Sequence, residues 1–250
     1  MKAPHLEIYG GTDIGSRTNN EDFFISLPRF RFFAVADGMG GHNAGEIAAR
    51  EATGQLSKWA SRFFLCPQTS IFPEHIISYL RFSIKNTNRH VNDLSKTNPF
   101  LKGMGTTICC LSLYGETAVF AHVGDSRLYH FHKTLTQLTQ DHSLANKLFT
   151  TGNKSSLPSS YKGIITKALG TTHIIEPDIN SFTIKKNDLF LLCTDGLTDF
   201  VSDLEIEKTL QQTPSLKKST QKLIKTAKEK GGHDNITLLL IRVSSFFEEI

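Results

Sequence analysis

The sequence predicts an α+β sandwich in which two antiparallel sheets are covered by pairs of helices. Three observations carry this: apolar runs of strand length joined by short turns, two helical stretches early in the chain, and a further helical pair before a last apolar strand. In chain order, His5 to Thr12 reads as a strand, Glu21-Asp22 precede another, and Arg31 to Ala36 (RFFAVA) runs straight into Asp37-Gly38. Gly45 to Phe64 carries Ile47, Ala48, Ala52, Leu56 and Trp59 near i, i+4 spacing, the mark of an amphipathic helix. A second helix is expected over Glu74 to Leu94, opening after Pro73, because proline suits a first helical turn. TTICCLSLY, ETAVFAHV and RLYHFH then read as three strands, punctuated by Gly115 and Gly124-Asp125. A short helix is expected at Ser143 to Phe149, leading into the polar loop TTGNKSSLPSSYKG. IIEPDINSFTI and DLFLLCTD follow as strands around a turn at Lys185 to Asp188. Two helices within Asp203 to Lys230 and the strand NITLLLIRV complete the order.

At 250 residues the chain can bury a sizeable core without disulfide staples. Its 39% apolar and 21% charged residues are the balance of a soluble globular protein, and its 18 Phe read as core filler. Cys66, Cys109, Cys110 and Cys193 contain no CxxC pair, so they read as buried thiols of a reducing cytoplasm. Neither a signal peptide nor a membrane span is expected. The net charge of +4 comes mostly from Lys217, Lys218, Lys222, Lys225, Lys228 and Lys230, whose helical spacing reads as a solvated face and not a nucleic-acid patch.

Carboxylates carry the chemistry. VADG at 35–38, HVGD at 122–125 and CTDG at 193–196 each place an Asp at the end of an apolar strand. Asp234 in GGHDNIT and Glu21-Asp22 precede two more strands. Strand ends of one sheet converge on one edge, so these acids can share a pocket. Two carboxylates about 4 Å apart repel by roughly 4 kcal/mol at an effective dielectric near 20, so such a pocket must hold protons or cations. Oxygen ligands without paired Cys or His favour Mg²⁺ or Mn²⁺ over zinc. Gly38 lets the backbone approach a cation, and Gly40 and Gly41 permit a turn before the helix. A single DG reads best as a β-turn; repetition after apolar strands argues for a shared site.

Eight segments resemble, in order, the bacterial form of the type 2C (PPM) metal-dependent Ser/Thr protein phosphatases. They are TDIGSRTNNED (12–22), FFAVADGMGGHNAGEIAA (32–49), GMGTT (103–107), AHVGDSRLY (121–129), LTQDHSL (138–144), ITKALG (165–170), LLCTDGLTD (191–199) and GGHDNIT (231–237). The resemblance implies a four-layer α-β-β-α sandwich and a single catalytic domain over 1–250, with a flap-like loop near 148–163. It implies two Mg²⁺ or Mn²⁺ ions, with room for a third, and hydrolysis of phosphoserine and phosphothreonine by direct attack of a metal-bridging hydroxide. Asp37 would bridge the ions, with the Gly38 carbonyl, Asp195 and Asp234 completing one of them. Glu21 would reach the second through water, Asp22 would orient metal-bound water, and Asp125 would hold a third ion beside Asp195.

Arg17 matches the phosphate-binding arginine, a role its guanidinium fork suits; the plainer alternative is a surface ion pair with Glu21 or Asp22. Asp125 as a capping turn residue is likewise the plainer alternative to a ligand. Met39 stands where eukaryotic relatives carry His, so no general acid is assigned, and His42, His142 and His233 have no assigned role. Lys167 replaces the commoner Arg of ITKALG. The implied partner is a phosphorylated protein, a Ser/Thr kinase or its targets, met by a monomer. The rivals are a small-molecule phosphoesterase with the same pocket and a pseudophosphatase, which would have lost a carboxylate.

Overall fold

A computed structural model describes residues 2–41, 44–66, 71–150 and 163–248. Its strands are β1 (Lys2–Asp13), β2 (Asp22–Leu27), β3 (Phe32–Met39), β4 (Gly105–Thr106), β5 (Ile108–Tyr114), β6 (Thr117–Val123), β7 (Arg127–Phe131), β8 (Leu135–Gln137), β9 (Asp178–Thr183), β10 (Leu189–Cys193) and β11 (Ile236–Glu248). Its helices are α1 (Ala44–Leu65), α2 (Pro73–Thr97), α3 (Leu144–Thr150), α4 (Asp195–Thr198), α5 (Asp203–Gln212) and α6 (Leu216–Glu229). One sheet has the order β1-β11-β10-β7-β8. The other runs β2-β3-β5-β6-β9, with β4 paired to β3. All the ladders are antiparallel.

Strand alternation builds three buried layers between these elements. Phe33, Val35, Cys109 and Leu111 face Phe190, Leu192, Leu239 and Ile241 between the sheets. Phe32, Ala34 and Cys110 turn the other way, onto Leu56, Leu80 and Ile84 of α1 and α2. Leu191, Leu238 and Leu240 meet Ile206, Leu210 and Leu223 of α5 and α6. The result is the four-layer α-β-β-α sandwich. Each fully buried Leu or Ile here contributes about 1.5–3 kcal/mol.

Several boundaries differ from the sequence reading for identifiable reasons. Arg31 is left-handed (φ 48) and closes a 3-10 turn over Pro28–Phe30, so β3 starts at Phe32. That strand continues past Ala36 because Gly38 and Met39 pair with Thr106 and Gly105. Asp37 is therefore inside a strand, not at its end. β1 and β11 extend each other, from Lys2 opposite Glu248 to Asp13 opposite Ile236. Asp195-Gly196 opens α4 and is not a β-turn. β9 is shorter than the apolar run suggested, and Ile174 is exposed. Three cysteines are buried, but Cys66, just beyond α1, is exposed. His42 and most of the predicted flap lie outside the described residues. Among the described residues, no helix is long and apolar enough to cross a membrane.

Candidate metal centre

The acids come from both sheets and meet at one end of the sandwich. Asp37 lies opposite Asp22 across β2 and β3. Its carboxyl group is within hydrogen-bonding reach of Asp195, the first residue of α4. Asp234 precedes β11 and lies close enough to raise the pKa of Asp22, Asp37 and Asp195. Asp125 occupies the turn between β6 and β7, also next to Asp195. Glu21 lies against Gly45 in the first turn of α1, and its own carbonyl accepts the Gly38 N–H at 3.1 Å.

Burial is the main force on these groups, with mutual repulsion second. It holds Asp37 well above the ordinary carboxylate range, followed by the charges of Asp195 and Asp22. Asp22 is raised by burial too, partly offset by hydroxyl donors from Thr194 and Thr237. Asp195 is pushed up to about 6 and Asp125 to about 7, burial leading in both. Glu21 is raised by burial, and the Arg17 charge opposes the rise.

The decisive observation for cation binding is a set of orphaned oxygens. One Oδ1 atom each of Asp22, Asp125 and Asp195 is buried without a hydrogen-bond partner. Buried acceptors are normally satisfied, and an unpaired buried carboxylate is expensive. Divalent cations would satisfy oxygen atoms and charge together. Gly38 fits this cradle: a Cβ there would strike the Gly45 and Glu21 carbonyls. The residues present fit a hard-cation site.

Arg17 pairs with neither Glu21 nor Asp22. Its Nη2 donates to Asp234 Oδ2 at 2.9 Å and its Nε to the His233 carbonyl at 3.0 Å, leaving the side chain at the rim, 55% exposed. Asp13 is structural: Oδ1 accepts the Gly15 N–H at 2.9 Å and Oδ2 pairs with Lys228.

Sequence reasoning missed the groups that hold the acids. Asn235 accepts the Glu21 N–H at 2.8 Å and donates to the Ile14 and Asn19 carbonyls, both at 2.9 Å, so one side chain fixes the 14–21 loop. Thr194 Oγ1 donates to Asp22 Oδ2 at 2.8 Å and accepts the Thr237 N–H at 3.1 Å. Both residues sit inside quoted motifs, but nothing in their spacing sets them apart.

His122, His142 and Asp178 bring ligand atoms within 4.8 Å of one another, apart from the acids the sequence singled out. The bonds already made there disfavour a metal. His142 Nδ1 accepts the Gly124 N–H at 3.0 Å, and its Nε2 is already occupied by Lys167 Nζ at 3.2 Å and Asp178 Oδ2 at 3.3 Å. Lys167 Nζ completes the ion pair at 3.1 Å from Asp178 Oδ1. His142 thus braces the turn before Asp125.

The family described as Protein phosphatase 2C matches residues 10–240. The chain belongs to that family. A serine/threonine phosphatase stp from Listeria welshimeri is 37% identical over 239 residues, covering 92% of this chain and 93% of its own. The solved structure of Staphylococcus aureus serine/threonine phosphatase Stp1 superposes with a TM-score of 0.88 at 32% identity, covering 97% of each chain. The solved catalytic domain of the serine/threonine protein phosphatase PstP, in complex with two manganese ions, gives a TM-score of 0.84 at 31% identity, covering 98% of this chain and 100% of that one.

Proposed function

We propose that this protein is a metal-dependent protein serine/threonine phosphatase, a single catalytic domain that removes phosphate from phosphoserine and phosphothreonine in proteins. The observation that carries this is the convergence of Asp22, Asp37, Asp195 and Asp234, with buried oxygens of Asp22 and Asp195 that no group of the protein satisfies. Family membership supports it, as do relatives that are serine/threonine phosphatases, one of them solved with manganese. Bound Mg²⁺ or Mn²⁺ would lower the pKa of water and neutralise charge developing on the phosphoryl group.

Each residue has a defined part in this reading. Asp37, the Gly38 carbonyl, Asp195 and Asp234 would hold the cations, and Glu21, which lies against α1, would contribute through water. Asp22 orients the attacking water, and Thr194 fixes its carboxylate. Asp125 with Asp195 offers a further cation position. Arg17 meets the phosphoryl oxygens from the rim, where its pairing with Asp234 keeps the guanidinium beside the acids. No residue needs to form a covalent intermediate. Cys193 is fully buried and its thiol is pushed up to about 12, so it remains a core residue. The same reading makes the protein a cytoplasmic monomer that acts on a Ser/Thr kinase or its targets.

Phosphate release from a phosphothreonine peptide tests this, measured with Mn²⁺, with excess chelator, and for Asp37→Asn. Turnover is expected only for the unmodified protein with the cation. Activity that survives the chelator or the substitution would sink the metal mechanism. Turnover of small phosphate esters alone would move the substrate class away from proteins.

A further inference from the structure

Asp37 lies opposite Thr107 in the ladder between β3 and the β4–β5 segment, because Val35 is opposite Cys109 and Gly38 opposite Thr106. The ladder is altered at this point. Thr107 N–H donates to the Asp37 carbonyl at 2.8 Å in the ordinary way. The Asp37 N–H, however, donates to the Thr107 hydroxyl at 2.9 Å. The Thr106 hydroxyl lies 2.8 Å from the Asp37 carbonyl oxygen and 2.9 Å from that of Thr107. The peptide carrying Asp37 is thus held on both sides by two threonines, each fully buried.

The Thr107 hydroxyl also reaches the turn that carries Asp125. It lies 2.7 Å from the Ser126 hydroxyl, one residue after Asp125, and Ser126 is buried as well. Gly124, one residue before Asp125, packs directly on Thr107. A Cβ on Gly124 would meet Thr107 Cγ2 at 2.6 Å and Cβ at 2.7 Å. His142 holds Gly124 from the far side, its Nδ1 accepting the Gly124 N–H and its own backbone N–H donating to the Gly124 carbonyl, both at 3.0 Å. One buried hydroxyl therefore joins the backbone of Asp37 to the turn that carries Asp125.

We propose that Thr107 is a positioning residue that links the Asp37 cation position to the Asp125 position, so that loosening it weakens divalent cation binding at both. The proposal rests on the metal-dependent reading above. Hydrogen-bond partners just outside the ligands fix ligand orientation, and losing one typically lowers metal affinity about 10–100-fold. Thr107→Val keeps the shape but loses both hydroxyl contacts, Thr107→Ser keeps them, and Ser126→Ala cuts only the link to the Asp125 turn.

Isothermal titration of the metal-stripped full chain with Mn²⁺ reads this directly, with kcat and KM for a phosphothreonine peptide measured beside it. The Asp37 position, with more oxygen ligands, is assigned the tight class of Mn²⁺ site and the Asp125 position the weak class. Thr107→Val is expected to weaken both, by about tenfold or more for the tight class. It should raise the Mn²⁺ needed for half-maximal rate while leaving the peptide KM unchanged. Thr107→Ser should restore the unmodified isotherm, and Ser126→Ala should weaken the weak class alone. A Thr107→Val isotherm matching the unmodified protein, or a Thr107→Ser as defective as Thr107→Val, overturns the proposal. Should Thr107→Val fail to fold, unchanged Mn²⁺ binding at both classes in Ser126→Ala overturns the link. An unmodified protein that takes up no Mn²⁺ at all overturns the metal-dependent reading itself, a different and recognisable failure.

Discussion

Asp125 and Asp195 illustrate what burial does to single acids in this protein. Their carboxyl groups are raised to about 7 and about 6, by burial first and neighbouring carboxylates next. A carboxyl whose pKa is higher in the folded chain holds a proton that the unfolded chain has already lost. Its contribution to stability is therefore present at low pH and lost as pH rises from about 4 to about 7. A tenfold difference in proton affinity between the two states corresponds to about 1.4 kcal/mol. In chelator, Asp125→Asn should be more stable than the unmodified protein by about 1–3 kcal/mol at pH 8 and equal to it at pH 4. Urea unfolding at the two pH values checks this, and equal stability at pH 8 would refute it. Cations compete with these protons, so Mn²⁺ affinity should fall as pH drops below about 7.

Among the elements, α2 does more than cover a sheet. Asn88 Oδ1 accepts the Gly170 N–H at 2.8 Å, and its Nδ2 donates to the Thr172 and His173 carbonyls at 2.9 and 3.1 Å. Asn92 adds a bond to the Gly170 carbonyl at 2.7 Å. The segment that follows Lys167 is thereby fastened to a helix. Leu169 also bridges to Thr106, the neighbour of the Asp37 anchor. Asn88→Ala would leave the Gly170 N–H buried and unpaired, at a cost of about 1–3 kcal/mol. A drop in urea midpoint with faster amide exchange at Gly170 is the expected result, and unchanged exchange would count against the clamp. Neither asparagine was legible in the sequence, where a polar residue in a helix reads as solvent-facing. Their burial became visible only once 168–173 was seen against α2.

For the whole molecule, the acids are drawn from both sheets: Asp22 and Asp37 from one, Asp195 and Asp234 from the ends of β10 and β11 in the other. Bound cations would tie the two sheets together at one end of the sandwich. Mn²⁺ at about 100 times its Kd should add about 2.7 kcal/mol per site to stability. Scanning calorimetry should then show a higher Tm with Mn²⁺ than with chelator, and Asp37→Asn should lose most of that increase. A Tm indifferent to Mn²⁺ would rule out cations that join the sheets.

The sequence by itself determined the periodicities that make strands and helices, the α+β sandwich they imply, and the acids that, with Gly38, we propose as the cation site. These were legible because hydrophobic alternation is local, and because repeated carboxylates beside apolar strands demand charge compensation wherever they meet. Tertiary structure alone decided that Asp37 lies within a strand, that Arg17 pairs with Asp234, and that Asn235, Thr194 and Thr107 hold the acids in place. Those contacts join residues from 70 to more than 200 positions apart. A hydroxyl or amide carries no mark in sequence of the distant group it will satisfy; only the register of the sheets and the closing of the chain assign its partner.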